Sequence, residues 1–230
     1  MKHQSNILAL KYRPLNFQDL IGQEYLVETI QKSIQQNKIP NAYIFTGIRG
    51  VGKTTTARIV AKMLNCTVFD KNNNPDLINC EQAKAITEDR HPDVIEIDAA
   101  SNTSVENARE IIENVKYNPV LGKYKVYIVD EVHMLSKSAF NALLKTLEEP
   151  PPHSKFIFAT TEISKVPITI LSRCQRFDLR RVEKKTLSDF LKSIAKKEDI
   201  TISNEALNLI IKASDGSVRD SLSILDQANI

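Results

Sequence analysis

The 230-residue sequence predicts an α/β fold, a parallel five-stranded sheet flanked by helices and followed by a small all-helical unit. Three observations carry this. Short apolar runs alternate with helical stretches up to about residue 179. A glycine-rich loop, Gly47-Ile48-Arg49-Gly50-Val51-Gly52-Lys53-Thr54, joins one apolar run to one helical stretch. After Arg181 only helical spacing remains, which divides the chain into 1–181 and 182–230.

Residues 8–22 mix Pro14 with Tyr12 and Phe17 and read as irregular. A helix is expected from about Glu24 to Asn37, because Leu26, Val27, Ile30 and Ile34 recur at helical spacing. Pro40 separates it from the first strand, Ala42-Tyr43-Ile44-Phe45. Beyond the glycine loop, Thr55 to Leu64 reads as a helix with Ala57, Ala61 and Leu64 on one face. The region 65–93 reads as loop, and Val94-Ile95-Glu96-Ile97 as the second strand, ending at Asp98. Thr103 and Glu106 form a T-x-x-E capping box before a helix whose apolar face is Val105, Ala108, Ile111, Ile112 and Val115. Val126-Tyr127-Ile128-Val129 is apolar throughout, as a central parallel strand should be. Ser138 to Glu149 is helical until Pro150-Pro151-Pro152 stop it. Phe156-Ile157-Phe158-Ala159 and Arg176-Phe177-Asp178-Leu179 supply the last two strands, and segments 186–198, 203–213 and 217–228 the helical tail.

Composition bounds the function classes. With 42% hydrophobic and 26% charged residues the chain can build a core and stay in solution. A net charge of +3 does not single out nucleic acid. No apolar run reaches membrane-spanning length, and the N-terminus has no signal-peptide core. Three cysteines, Cys66, Cys80 and Cys174, are too few for a disulfide framework, which suits the cytoplasm.

The glycine loop fits the phosphate-binding pattern G-x-x-x-x-G-K-[ST] at every fixed position, in the strand–loop–helix context the pattern needs. Glycine lets the backbone turn its N–H groups inward, and the helix N-terminus adds partial positive charge. The chain has six glycines and three lie in this loop, so it is more than an ordinary surface turn. Lys53 would reach the outer phosphates of ATP, and Thr54 would hold magnesium beside Thr55. The third strand ends in Asp130 and Glu131. Asp130 is then placed near the magnesium, and Glu131 to orient or deprotonate an attacking water. His133 is given no role, since a lone histidine is more often structural. Thr160 and Thr161 end the fourth strand, where a hydroxyl suits the terminal phosphate or the water, although threonine is also an ordinary strand residue.

These residues together resemble a family. Tyr12-Arg13-Pro14 with Asp19 and Ile21-Gly22-Gln23, the phosphate loop, Asp130-Glu131-Val132-His133, Ser172-Arg173-Cys174 and Gly216-Ser217-Val218-Arg219-Asp220 resemble the AAA+ clamp-loader ATPases. The run Leu143 to Pro150 is similar to that of the gamma/tau motor subunits of bacterial DNA polymerase III. The resemblance covers essentially the whole chain. It implies an AAA+ P-loop NTPase core with a helical lid, and an ATPase motor that opens a sliding clamp and loads it on primed DNA. The implied partners are delta, delta-prime and further gamma/tau copies, the clamp and the DNA. By position, Thr161 matches sensor 1, Arg173 the arginine finger reaching a neighbour's nucleotide, and Arg219 sensor 2. Tyr12, Arg13, Ile21 and Gly22 would enclose the adenine, with Leu222 on the lid side. Without the family, Arg173 and Arg219 are two among 31 basic residues and read as solvated.

Two departures follow from the same resemblance. Relatives carry a four-cysteine zinc module after the phosphate-loop helix, whereas Asn74 and Leu77 stand where the middle pair is expected. Two thiolates do not close a tetrahedral site, so no zinc is expected, with His91 the conceivable third ligand. Asn102 stands where bacterial relatives place a basic residue facing DNA, which weakens DNA contact by this subunit alone. The family's helical collar is also missing after the lid, so the chain is expected to be a fragment. A non-hydrolysing delta-prime-like subunit and a DNA-translocating helicase are the competing readings. Intact Lys53, Thr54, Asp130 and Glu131 argue against the first; Ser172-Arg173-Cys174 and the Leu143–Pro150 run argue against the second.

Overall fold

A computed structural model describes residues 7–70, 74–101 and 105–229. In chain order the elements are α1 (Leu8–Lys11), α2 (Glu24–Gln35), β1 (Ala42–Thr46), α3 (Lys53–Asn65), α4 (Glu81–Thr87), β2 (Val94–Asp98) and α5 (Val105–Val115). There follow β3 (Lys125–Asp130), α6 (Lys137–Glu148), β4 (Ser154–Thr160), α7 (Ile168–Leu171), β5 (Gln175–Asp178), α8 (Lys184–Lys197), α9 (Asn204–Ser214) and α10 (Val218–Ala228). All five strands are parallel, in the order β2-β3-β4-β1-β5. The five expected strands and the all-helical tail are present.

The continuous apolar runs are explained by burial on both faces of the sheet. Along β1 the side chains alternate: Tyr43 and Phe45 enter one core layer with Ile30, Ile59 and Phe177. Ala42 and Ile44 enter the other with Phe140, Leu143 and Phe158. β3 divides in the same way, Val126 and Ile128 to the first layer, Tyr127 and Val129 to the second. Full burial of each such side chain contributes roughly 1.5–3 kcal/mol, which fixes register because a one-residue slip would exchange the two layers. A third cluster joins Leu187, Leu191, Ile194, Leu207, Ile210 and Leu222 of the tail helices.

Two segments differ from expectation. Residues 8–22 contain α1 and a 3-10 turn at Phe17–Asp19. α1 forms because Leu8 is buried in the third cluster, a long-range contact that local spacing cannot report. The region 65–93 contains α4, whose Ala83 and Ile86 are buried over only two turns, too short for a clear period. The capping residue Thr103 and Asn102 lie outside the described residues. Serine caps fix other helix starts: the Ser136 hydroxyl accepts from the Ala139 N–H at 3.2 Å, and the Ser217 hydroxyl from the Asp220 N–H at 3.2 Å. No helix among the described residues is long and apolar enough to cross a membrane.

Sheet order positions the site. β4 lies between β1 and β3, with Thr46 opposite Thr160, and Val129 opposite Phe158. The C-terminal ends of β1, β4 and β3 therefore open side by side, bringing together the glycine loop, Thr160-Thr161 and Asp130-Glu131.

Candidate functional site

The loop after β1 uses glycine for geometry. Gly47, Gly50 and Gly52 have φ of 147°, 79° and 102°, values that side-chain-bearing residues resist. Gly47 is also held close to β5's continuation, where an added Cβ would lie 2.6 Å from the Leu179 carbonyl oxygen. The Lys53 ammonium closes the loop from inside, donating to the carbonyl oxygens of Gly47 (3.0 Å) and Ile48 (2.9 Å). Burial lowers the Lys53 pKa, opposed by the nearby Glu131 and Asp130 carboxylates. A buried cation whose hydrogen bonds, among the described residues, go to neutral carbonyls is suited to exchange them for an anion.

At the end of β3 the Thr54 hydroxyl donates to Asp130 Oδ2 at 2.5 Å, and Asp130 Oδ1 accepts the Glu131 N–H at 2.9 Å. A hydroxyl and a carboxylate set together at a helix N-terminus are the hard oxygen donors magnesium takes. Glu131 has φ 46°, the left-handed region, which costs a non-glycine residue about 1–3 kcal/mol. Its Oε2 accepts from the Thr161 N–H (3.1 Å) and the Thr161 hydroxyl (2.9 Å). The residue expected to activate water and the residue expected as sensor 1 are thus in direct contact.

The tail helices close the site from above. The Arg219 N–H donates to the Gly50 carbonyl at 3.2 Å, so the first turn of α10 rests on the glycine loop itself. Between them lies a cavity of about 530 Å³ lined by Tyr12, Arg13, Ile21, residues 49–55, Asp130, Glu131, Arg219 and Leu222. Arg13 Nε donates to the Thr55 hydroxyl at 3.3 Å. Burial, then repulsion from Arg58 and Arg219, lowers the Arg13 pKa, a convergence of cations that an anion would relieve. The Tyr12 hydroxyl hydrogen-bonds Glu198, the residue that ends α8, which pushes its pKa up to about 12 and ties the N-terminal segment to the tail helices.

Not every expected site residue faces this cavity. Gly47 and Ile48 serve through their carbonyls, and Gly22 packs on Val182, where an added Cβ would lie 3.3 Å from a methyl carbon. Thr161 reaches the site through Glu131. Arg173 lies outside the cavity lining, at the end of α7, pairing with Glu148 and donating to the Thr169 carbonyl at 2.5 Å. Several lining residues were missed in the sequence: Leu20, Asp98, Ala100, Phe190 and Val218. Phe190 sits on an amphipathic helix with no motif to distinguish it from core. Cys66 and Cys80 are buried together, and Cys66 donates to the Val68 carbonyl at 3.1 Å. His91, the conceivable third zinc ligand, has its Nε2 on Gln82 Oε1 (2.9 Å) and its Nδ1 accepting the Asp93 N–H (3.1 Å).

The comparisons with known proteins agree with this geometry. The family model for the DNA polymerase III delta subunit matches residues 22–183, and that for the DNA polymerase III clamp loader ATPase lid matches residues 186–229. The DNA polymerase III subunit tau/gamma of Haemophilus influenzae is 50% identical over 222 residues, covering 96% of this chain and 32% of that protein. The subunit tau of Bacillus subtilis is 49% identical over 219 residues, covering 94% of this chain and 38% of that protein. The chain thus spans about a third of the length of these relatives. Among solved structures, the Thermotoga maritima RuvB Holliday junction branch migration motor superposes with a TM-score of 0.67 at 19% identity, covering 94% of this chain and 64% of that one. At that identity the likeness shows the fold alone, and the fold is AAA+. With its sheet and phosphate loop inside one model match and its tail helices inside the other, the chain belongs to the DNA polymerase III clamp-loader family.

Proposed function

We propose that the chain is the ATP-hydrolysing motor of a clamp loader, working with delta, delta-prime and further gamma/tau copies to open a sliding clamp and place it on primed DNA. The observation that carries the catalytic part is the Thr54–Asp130 pair at 2.5 Å, with the half-buried Glu131 just beyond the end of β3 and Lys53 inside the loop. A non-hydrolysing subunit has no need of that arrangement. The relatives named as DNA polymerase III subunit tau/gamma and the clamp loader ATPase lid match support work within a clamp-loader assembly.

In this reading the backbone N–H groups of the glycine loop and Lys53 bind the phosphates. Thr54 and Asp130 hold magnesium, which supplies positive charge to the phosphate oxygens when bound. Glu131 takes a proton from the attacking water, and Thr161 holds the Glu131 carboxylate in place. Arg219 reaches the phosphates of the same chain from the lid, and Arg173 those of the next subunit. Tyr12, Arg13, Ile21 and Leu222 enclose the base. The division into a core of residues 1–181 and a lid of 182–230 follows, with α1 packed on the lid; no zinc enters this scheme.

Equilibrium binding of labelled ATP with magnesium tests the first step. Wild-type binding with a severe loss in Lys53→Ala is expected. Equal binding by both would remove the phosphate loop from the function.

A further inference from the structure

His133 lies one turn beyond the acidic pair and takes no part in the scheme above, yet its surroundings are specific. Its side chain is only 6% exposed. Nδ1 lies 2.9 Å from the Thr160 hydroxyl and 3.4 Å from Glu131 Oε2, and Nε2 lies 3.3 Å from Glu162 Oε1. Both ring nitrogens therefore face a carboxylate oxygen. The outer carboxylate is paired in turn with Lys165, whose Nζ lies 2.8 Å from Glu162 Oε2, and the Glu162 backbone N–H donates to the Thr160 hydroxyl at 3.0 Å. The imidazole is held at one end by the β4–α7 connection and touches Glu131 at the other.

We propose that His133 is a positioning residue that orients the Glu131 carboxylate, and with it the attacking water. Two features converge on this. Glu131 sits at φ 46°, a backbone state that persists only where the surroundings over-determine it. Its Oε2 is engaged by the Thr161 N–H and hydroxyl, and His133 Nδ1, hydrogen-bonded to the Thr160 hydroxyl, lies 3.4 Å from the same oxygen. Contacts that converge on Oε2 hold that oxygen at the strand end, and in this proposal Oε1 is the atom that meets the attacking water in the cavity that Glu131 lines. A structural histidine would serve equally well anywhere in the core. This one is spent at the ends of β3 and β4, beside the proposed base. The role rests on the reading of Glu131 as that base.

Single-turnover ATP hydrolysis and ATP affinity, measured on the same chain, test it. His133→Ala is expected to slow hydrolysis by about tenfold to a hundredfold, the scale of a misplaced reacting group, with affinity unchanged. His133→Asn places an amide near the Nδ1 position and should recover most of the rate, whereas His133→Gln, which reaches only the Nε2 side, should not. In a Glu131→Gln background His133→Ala should add no further loss. An undiminished further loss there, or equal rates for the Asn and Gln variants, would overturn the proposal. A normal rate in Glu131→Gln alone would instead overturn the parent reading. If His133→Ala melts too early to assay, the Asn and Gln pair still decides between orientation and packing.

Discussion

Replacing Gly50 with alanine should act on the lid more than on the loop. Gly50 has φ 79°, and holding alanine in that region costs roughly 1–2 kcal/mol. The new Cβ would also overlap the Ser217 hydroxyl and approach the Arg219 Cβ to 3.3 Å. Ser217 caps α10 through the Asp220 N–H at 3.2 Å, a contact worth about 1 kcal/mol. Moving the helix away would break the Arg219 N–H to Gly50 carbonyl bond of 3.2 Å, about 0.5–1.5 kcal/mol more. The sum is about 2.5–4.5 kcal/mol, divided between stability and nucleotide affinity, where each 1.4 kcal/mol is tenfold. Thermal melts with and without ATP, together with ATP affinity, measure both shares. Ser217→Ala removes the overlapping oxygen, so the double variant should lose clearly less than the two single losses added. Strictly additive losses, or wild-type ATP affinity in Gly50→Ala, would refute the lid contact.

Asp93 gives a prediction in pH. Burial alone would raise its pKa, but the Gly122, Val120 and Leu121 N–H groups, each 2.7 Å from its oxygens, prevail and lower it. A depressed carboxylate contributes stability that is present above its unfolded pKa of about 3.9 and is lost as pH falls through the folded value. Asp93→Asn should therefore lose about 1–3 kcal/mol at neutral pH for an unsatisfied donor, and its stability should fall less steeply in acid than that of the wild type. Denaturant unfolding at neutral pH and near pH 3 checks both. Arg173→Ala should cost far more in an assembled ring with clamp and primed DNA than in the isolated chain, because an arginine finger is worth about 10³–10⁵ in rate only where it meets a neighbour's nucleotide. Comparing stimulated with single-turnover rates reads this, and an equal loss in both would place Arg173 on its own nucleotide.

The strands were legible because burial on both faces leaves unbroken apolar runs, and the phosphate site because glycine, lysine and threonine at fixed spacing admit little else. Contacts between distant segments were not. Tyr12 and Glu198 are 186 residues apart, and no local pattern pairs them. α1 depends on Leu8 reaching the tail cluster, and Phe190 looks like any other apolar residue on an amphipathic helix. His133 read as structural because its partners, Thr160 and Glu162, come from another strand end. The sequence marks which chemistry is present; sheet order decides which groups meet.

The central claim is that the phosphate loop and the β3 carboxylates form one hydrolytic site, with Glu131 acting on water. Single-turnover hydrolysis of bound ATP by Glu131→Gln, with affinity measured on the same sample, tests it most directly. Retained magnesium-dependent ATP binding with hydrolysis slowed by about 10²–10⁴-fold is the expected result, because the substitution leaves Thr54 and Asp130 in place and removes the base. Hydrolysis at the wild-type rate with binding intact would contradict it.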